Sequence, residues 1–233
     1  MFSGRRHALD VSLDLRAELL QRTEQDQAAR GAPEPDWEVL AAVDADNVAW
    51  LREVVASVGW PGPSMVGEDG AHAAWLLAQH ADQDRAFQRR CLELMTQAVA
   101  SGEAAKADLA YLTDRVLLAE GNAQEYGTQF TGRESGWAPR RLRDPETVDE
   151  RRAAMSLGTL AENTARMAAE YGAPTPGTII CAECGSSYEA WLPEDGETRQ
   201  LRCPSCGTTM TLAVGAPAEP DAEPGPLPQP SDP

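Results

Sequence analysis

Apolar residues recur at three- and four-residue spacing through residues 9–171, which predicts a run of amphipathic helices. The first helix is expected over residues 10–30, with Val11, Leu15 and Leu19 on one stripe and Leu13 and Leu20 beside it. It stops before Gly31, Pro33 and Pro35. A second helix, residues 36–58, opens on Asp36 as N-cap and carries Val39, Val43, Val54, Trp37 and Trp50. Residues 59–70, GWPGPSMVGEDG, should break helicity. Trp60 and Met65 within them argue for a loop packed down on the protein. Residues 71–81 are apolar nearly all round, so this short helix should be central.

Two further helices are expected over residues 83–100 and 104–119. In the second, Leu109, Leu112 and Val116 form one stripe, and Tyr111, Leu117 and Leu118 occupy most other faces. A loop over 122–139 follows. Asp144 and Pro145 open another helix as N-cap and first residue, Gly158 closes it, and Thr159 with Glu162 reads as a capping box starting the next.

The periodicity changes at 172–177, GAPTPG, read as a linker. Beyond it Thr, Tyr, Trp and Val cluster as strand formers at 178–180, 187–192, 198–202 and 208–214. From Gly215 onward seven of 19 residues are proline and four are acidic, a composition expected to be disordered. The fold class is therefore α+β: a mainly helical domain at 9–171, a small β module at 178–214 and a tail at 215–233.

The β module contains Cys181 and Cys184 in CAECG and Cys203 and Cys206 in CPSCG, with the 18 residues 185–202 between the pairs. Two CxxC pairs at this separation have zinc-ribbon spacing, and the glycine after each pair suits a knuckle that needs positive φ. Four thiolates close a tetrahedral Zn²⁺ site, so the zinc is read as structural. Disulfides fit poorly: the N-terminus MFSGRRHALD lacks a signal's apolar core, which points to the cytoplasm. The fifth cysteine, Cys91, lies on a stripe with Phe87, Leu94, Met95 and Ala98 and reads as a buried thiol.

A net charge of −17, from 20 basic and 37 acidic residues, disfavours nucleic acid and anionic lipid as partners. The ribbon is itself acidic, with Glu183, Glu189, Glu194, Asp195 and Glu197 against Arg199 and Arg202. No apolar run approaches the length of a membrane span.

Several polar groups sit where the helical pattern predicts burial, and each needs a partner or a purpose. His80 is three and four residues from Leu77 and Leu76; Asp114 has Ala110, Leu117 and Leu118 around it on the helical wheel, and Arg115 has Tyr111 and Ala119. The following run, QEYGTQF, brings Gln124, Tyr126 and Gln129 close together. Read as a site, His80 or Asp82 is the acid or base, Asp114 orients His80, Arg115 grips an anion, and the loop orients substrate. Read as scaffold, the same groups form a hydrogen-bond network that ties the loop to the helices.

Asp26-Gln27 with Arg30, Gly59-Trp60-Pro61, Gln79-His80-Ala81-Asp82, the run YLTDRV from Tyr111 and the run QEYGTQ from Gln124 resemble the signature runs of a bacterial domain of unknown function, number 6624. The resemblance covers about residues 15–169, supplies no activity, and implies that these polar runs belong together. The ribbon looks like an addition to that domain. Two functions fit the residues: a hydrolase or transferase acting on a small polar or anionic ligand, and a non-enzymatic adaptor that binds a partner protein through the helical domain and ribbon, with Tyr188 and Trp191 as candidate exposed contacts. No nucleophile elbow, phosphate loop or catalytic-zinc triad marks the reaction type.

Overall fold

A computed structural model of the chain describes residues 3–32, 35–193 and 197–213. The expected tail at 215–233, with Pro33, Glu194 and Asp195, lies outside the described residues. Seven helices come first, a small hairpin interrupts them, and two further strand pairs follow, so the α+β expectation holds. Backbone contacts divide the described residues into two units, one up to Val116 and one from Leu117. The division falls inside the fifth helix.

The first unit holds α1 (Ser3–Arg30), α2 (Trp37–Val58), α3 (Pro63–Gln79), α4 (Arg85–Ala100) and most of α5 (Lys106–Ala119). Asp36 caps α2 by accepting from the N–H groups of Glu38 and Val39, which satisfies two of the donors a helix start leaves open. Asp84 does the same for α4, accepting from Phe87 N–H at 3.0 Å. α3 lies against α1, α2 and α4. Its alanines Ala71, Ala73, Ala74 and Ala78 are buried and let those neighbours approach closely, while Trp75 and Leu77 fill the core with Leu19, Leu51, Phe87, Leu92 and Met95.

The sequence reading of residues 59–70 as non-helical is corrected here. The helix reaches back to Pro63, which takes the first-turn position where a missing N–H costs nothing. Gly67, at φ 74°, kinks it and allows the two stretches to join. α5 is buried along Leu109, Ala110, Leu112 and Val116, as its stripe predicts. Cys91 is fully buried, and that burial pushes its thiol up to about 12 against the pull of Arg52 and Arg90.

In the second unit, β1 (Phe130–Arg133) and β2 (Gly136–Pro139) form an antiparallel hairpin inside the expected loop. Asp144 does not cap a helix with its side chain; it sits at φ 39° before a single 3-10 turn (Pro145–Thr147) that leads into α6 (Val148–Ala154). That helix ends at Met155, ahead of Gly158. The capping box of α7 (Leu160–Tyr171) is present: Glu162 N–H donates to Thr159 Oγ1 at 3.2 Å and Thr159 N–H to Glu162 Oε2 at 2.7 Å. α7 packs on β2, and Trp137 Nε1 donates to the Gly172 carbonyl at 2.8 Å. The ribbon is two antiparallel pairs, β3 (Gly177–Ile180) with β4 (Ser187–Ala190) and β5 (Thr198–Arg202) with β6 (Thr209–Ala213). No described helix is long and apolar enough to cross a membrane.

Candidate metal centre and polar cluster

Each ribbon hairpin presents its cysteines on the same knuckle. Cys181 N–H donates to the Ser186 carbonyl and Gly185 N–H to the Cys181 carbonyl; Cys203 N–H donates to Thr208 and Gly207 N–H to Cys203 in the same pattern. Gly185 and Gly207 stand at φ 71° and 77°, so each glycine supplies the left-handed turn. The four Sγ atoms lie within 4.8 Å of one another, with Cys181 to Cys206 at 3.7 Å and Cys184 to Cys203 at 3.8 Å. These separations are far beyond a disulfide bond of about 2.05 Å. They match the edge of a tetrahedron, about 3.8 Å, drawn by four sulfurs each about 2.3 Å from one ion.

The Ser186 hydroxyl, followed by backbone N–H groups of Cys206 and Ser205, pulls Cys203 down to about 6, and Ser186 likewise lowers Cys184. At Cys181 the N–H groups of Cys184 and Glu183 pull down, but burial and the neighbouring thiols outweigh them and push it up to about 11. Four thiols packed this closely become anionic together only around a cation, so the donor set fits a metal ion. Tyr188 and Trp191, the candidate exposed contacts, are half-buried, which fits Trp191 filling the ribbon's small core, and the Tyr188 hydroxyl is buried. So small a module has little else to fill its interior.

In the first unit, His80 is the C-terminal cap of α3, its N–H donating to the Leu76 carbonyl. The carboxylate that holds its ring is Asp26 of α1, not Asp114. His80 Nδ1 lies 2.9 Å from Asp26 Oδ2 and 3.1 Å from Oδ1. An ionised carboxylate offers only lone pairs, so Nδ1 carries the proton and donates to it. Arg30 Nε, 3.1 Å from both Nδ1 and Asp26 Oδ1, therefore donates to the carboxylate; its approach to the ring nitrogen is a contact without a bond. Gln27 Nε2 adds a third donor at 2.8 Å, and the outer end of Arg30 pairs with Asp44. Asp26 is completely buried. Burial pushes its carboxyl up, and the hydrogen bonds of His80 and Gln27 with the charges of His80 and Arg30 more than reverse this, so it stays below its ordinary value of 3.8.

Two residues along, Asp82 receives Arg115 through both Nε, at 2.8 Å, and Nη2, a two-pronged pair. Gln88 Nε2 reaches Asp82 Oδ1 and the Gln79 carbonyl, each at 3.1 Å. Burial raises the Asp82 carboxyl; Arg115 outweighs it and lowers the net value. Asp114 is fully buried in α5, as its helical position predicts.

The run QEYGTQF belongs to the second unit, where Gln124 acts as a clamp. Its amide donates to the carbonyls of Gln129 and Arg140 at 3.0 and 2.9 Å, and accepts from Gln129 N–H at 3.0 Å. All of those bonds hold loop backbone. The Tyr126 carbonyl takes Arg152 Nη1 at 2.6 Å, and Gln129 Nε2 reaches Thr128 Oγ1 at 3.1 Å. The sequence reading missed Asp26, Asp44 and Gln88 as members of the cluster. Asp26 was signalled by its run with Gln27 and Arg30; Asp44 and Gln88 have no comparable local mark.

Helices carrying paired charges around the buried Asp26, followed by a ribbon whose four cysteines could hold a metal ion, define an α+β protein. The chain belongs to a family of unknown function, DUF6624, whose model matches residues 13–174. That span takes in the helices and ends before the ribbon. No curated protein and no solved structure matches the chain.

Proposed function

We propose that this is a cytoplasmic zinc protein whose helical unit acts on a small polar or anionic molecule, as a hydrolase or transferase, with His80 as general base. One observation carries the reading: the short stretch from Gln79 to Asp82 places two charge-assisted pairs side by side, His80 with Asp26 and Asp82 with Arg115. Asp26 fixes the ring and would stabilise the imidazolium. His80 Nε2 would take a proton from water or a substrate hydroxyl, the oxygen would attack the electrophilic centre, and the proton would pass to the leaving group. Arg115, already shared with Asp82, is the anchor for a substrate anion. The metal stays out of the reaction, because four cysteines fill its sphere. Zinc is the ion that suits four thiolates at tetrahedral spacing.

The test has two readings. Nitrogen NMR above neutral pH should find the His80 proton on Nδ1, and a proton on Nε2 would refute the dyad. His80→Gln should melt with the wild type and lose turnover of any small ester, amide or phosphate the wild type hydrolyses, by about 100-fold or more; retained turnover would refute the assignment.

A second reading, as an adaptor, is favoured by Ile180 and Leu192, large apolar side chains of the ribbon that are 70% and 53% exposed. A pull-down should then lose its partners when residues 177–233 are deleted, and an unchanged partner set would remove the ribbon from this role.

A further inference from the structure

On α3 about 12 Å before His80, counting eight residues at 1.5 Å each, the first unit has a partly open cavity of about 160 Å³. The cluster described above has no member on its wall. An apolar cavity of about 150 Å³ accepts benzene, so this one takes a small organic molecule. Trp60, Pro63 and Met95 give it apolar walls.

The polar wall is acidic. Glu68, His72 and Asp108 line it, and neither arginine nor lysine does. His72 Nδ1 sits 3.1 Å from Asp108 Oδ2 and its ring lies 4.7 Å from that of Trp75, so the imidazole is held in place beside the carboxylate. Glu68 is exposed and makes no ion pair among the described residues. The wall is therefore net negative whether or not His72 is protonated, and Trp60 offers an aromatic ring. An anion would meet two carboxylates there, and a purely apolar guest would strip water from them without return.

We infer that this cavity is a binding site for a small organic cation, an amine of roughly benzene's size. The apolar walls take its carbon body and Glu68 with Asp108 takes the ammonium. This inference does not depend on the His80 dyad and survives that dyad's failure.

The test uses the full metal-loaded chain with cyclopentylamine as probe and cyclopentanecarboxylate as its anionic counterpart, followed by tryptophan fluorescence and calorimetry. The amine should bind saturably and the carboxylate should not. Binding should weaken by at least about tenfold in the double variant Glu68→Gln, Asp108→Asn, because each substitution removes a charge-assisted partner. It should vanish in Ala105→Phe, which fills the cavity from its exposed rim. Should Ala105→Phe fail to fold, the double variant carries the test alone, since both its changes are at the cavity's polar edge. Equal binding of amine and carboxylate, no saturation by the amine, or unchanged affinity in a folded variant would each overturn the inference.

Discussion

Stripping the metal from the four cysteines should unfold the ribbon and leave the helices intact. Its strands are four or five residues long, pair only in twos, and expose Ile180 and Leu192, so they bury too little apolar surface to stand alone. Binding of zinc by sites of this kind is worth on the order of 10 kcal/mol or more, and that energy is folding energy. Metal analysis after purification without chelator should find one zinc per chain. Chelation, or Cys203→Ser, should then erase the amide signals of residues 177–213 in NMR while helical circular dichroism persists. Less than one metal per chain would count against the centre, and collapse of the helical signal would overturn the independence of the two parts.

Asp26→Ala should be the most damaging single change among the helices. It removes the acceptor of three donors at a fully buried position, and breaking a buried ion pair by deleting one partner costs about 3 to 5 kcal/mol. The lower end applies, because Arg30 keeps Asp44. A loss of about 3 kcal/mol corresponds to a fall in melting temperature of roughly 6–12 °C for a chain of this size. The pH dependence has a definite sign. Since the folded Asp26 carboxyl lies below 3.8, its contribution is complete above that value and is lost as pH falls through the folded value. The melting gap between wild type and Asp26→Asn should shrink as pH falls below about 3.8. A gap that widens below that value would contradict the network.

The caps show which parts of this fold can be read locally. Asp36 and the pair Thr159 and Glu162 act within one helical turn, so their letters alone locate α2 and α7. The ribbon strands were equally legible, because Thr, Tyr, Ile and Trp gather on either side of two glycine-terminated knuckles. The start of α3 was hidden, since the two prolines and four glycines of residues 59–70 mask a helix that tolerates Pro63 at its first turn and bends at Gly67. The hairpin at Phe130–Arg133 and Gly136–Pro139 was hidden by strands too short for alternation to register.

The candidate site divides along the same line. The cysteine quartet is coded by spacing and was plain from the start. His80 was found because a polar letter on an apolar stripe is conspicuous, but its partner, 54 residues earlier on another helix, follows only from the packing of α1 on α3. Asp114 was the nearer guess in sequence and the wrong carboxylate for that ring.

The matching hydrogen bonds of the two cysteine knuckles carry a consequence for assembly. Each hairpin offers two sulfurs on the same turn, so an incoming ion would have two landing places of like backbone geometry. Either hairpin could then start the ribbon while the other closes onto an ion already half-wrapped, and slowing one hairpin should leave the other to start the work.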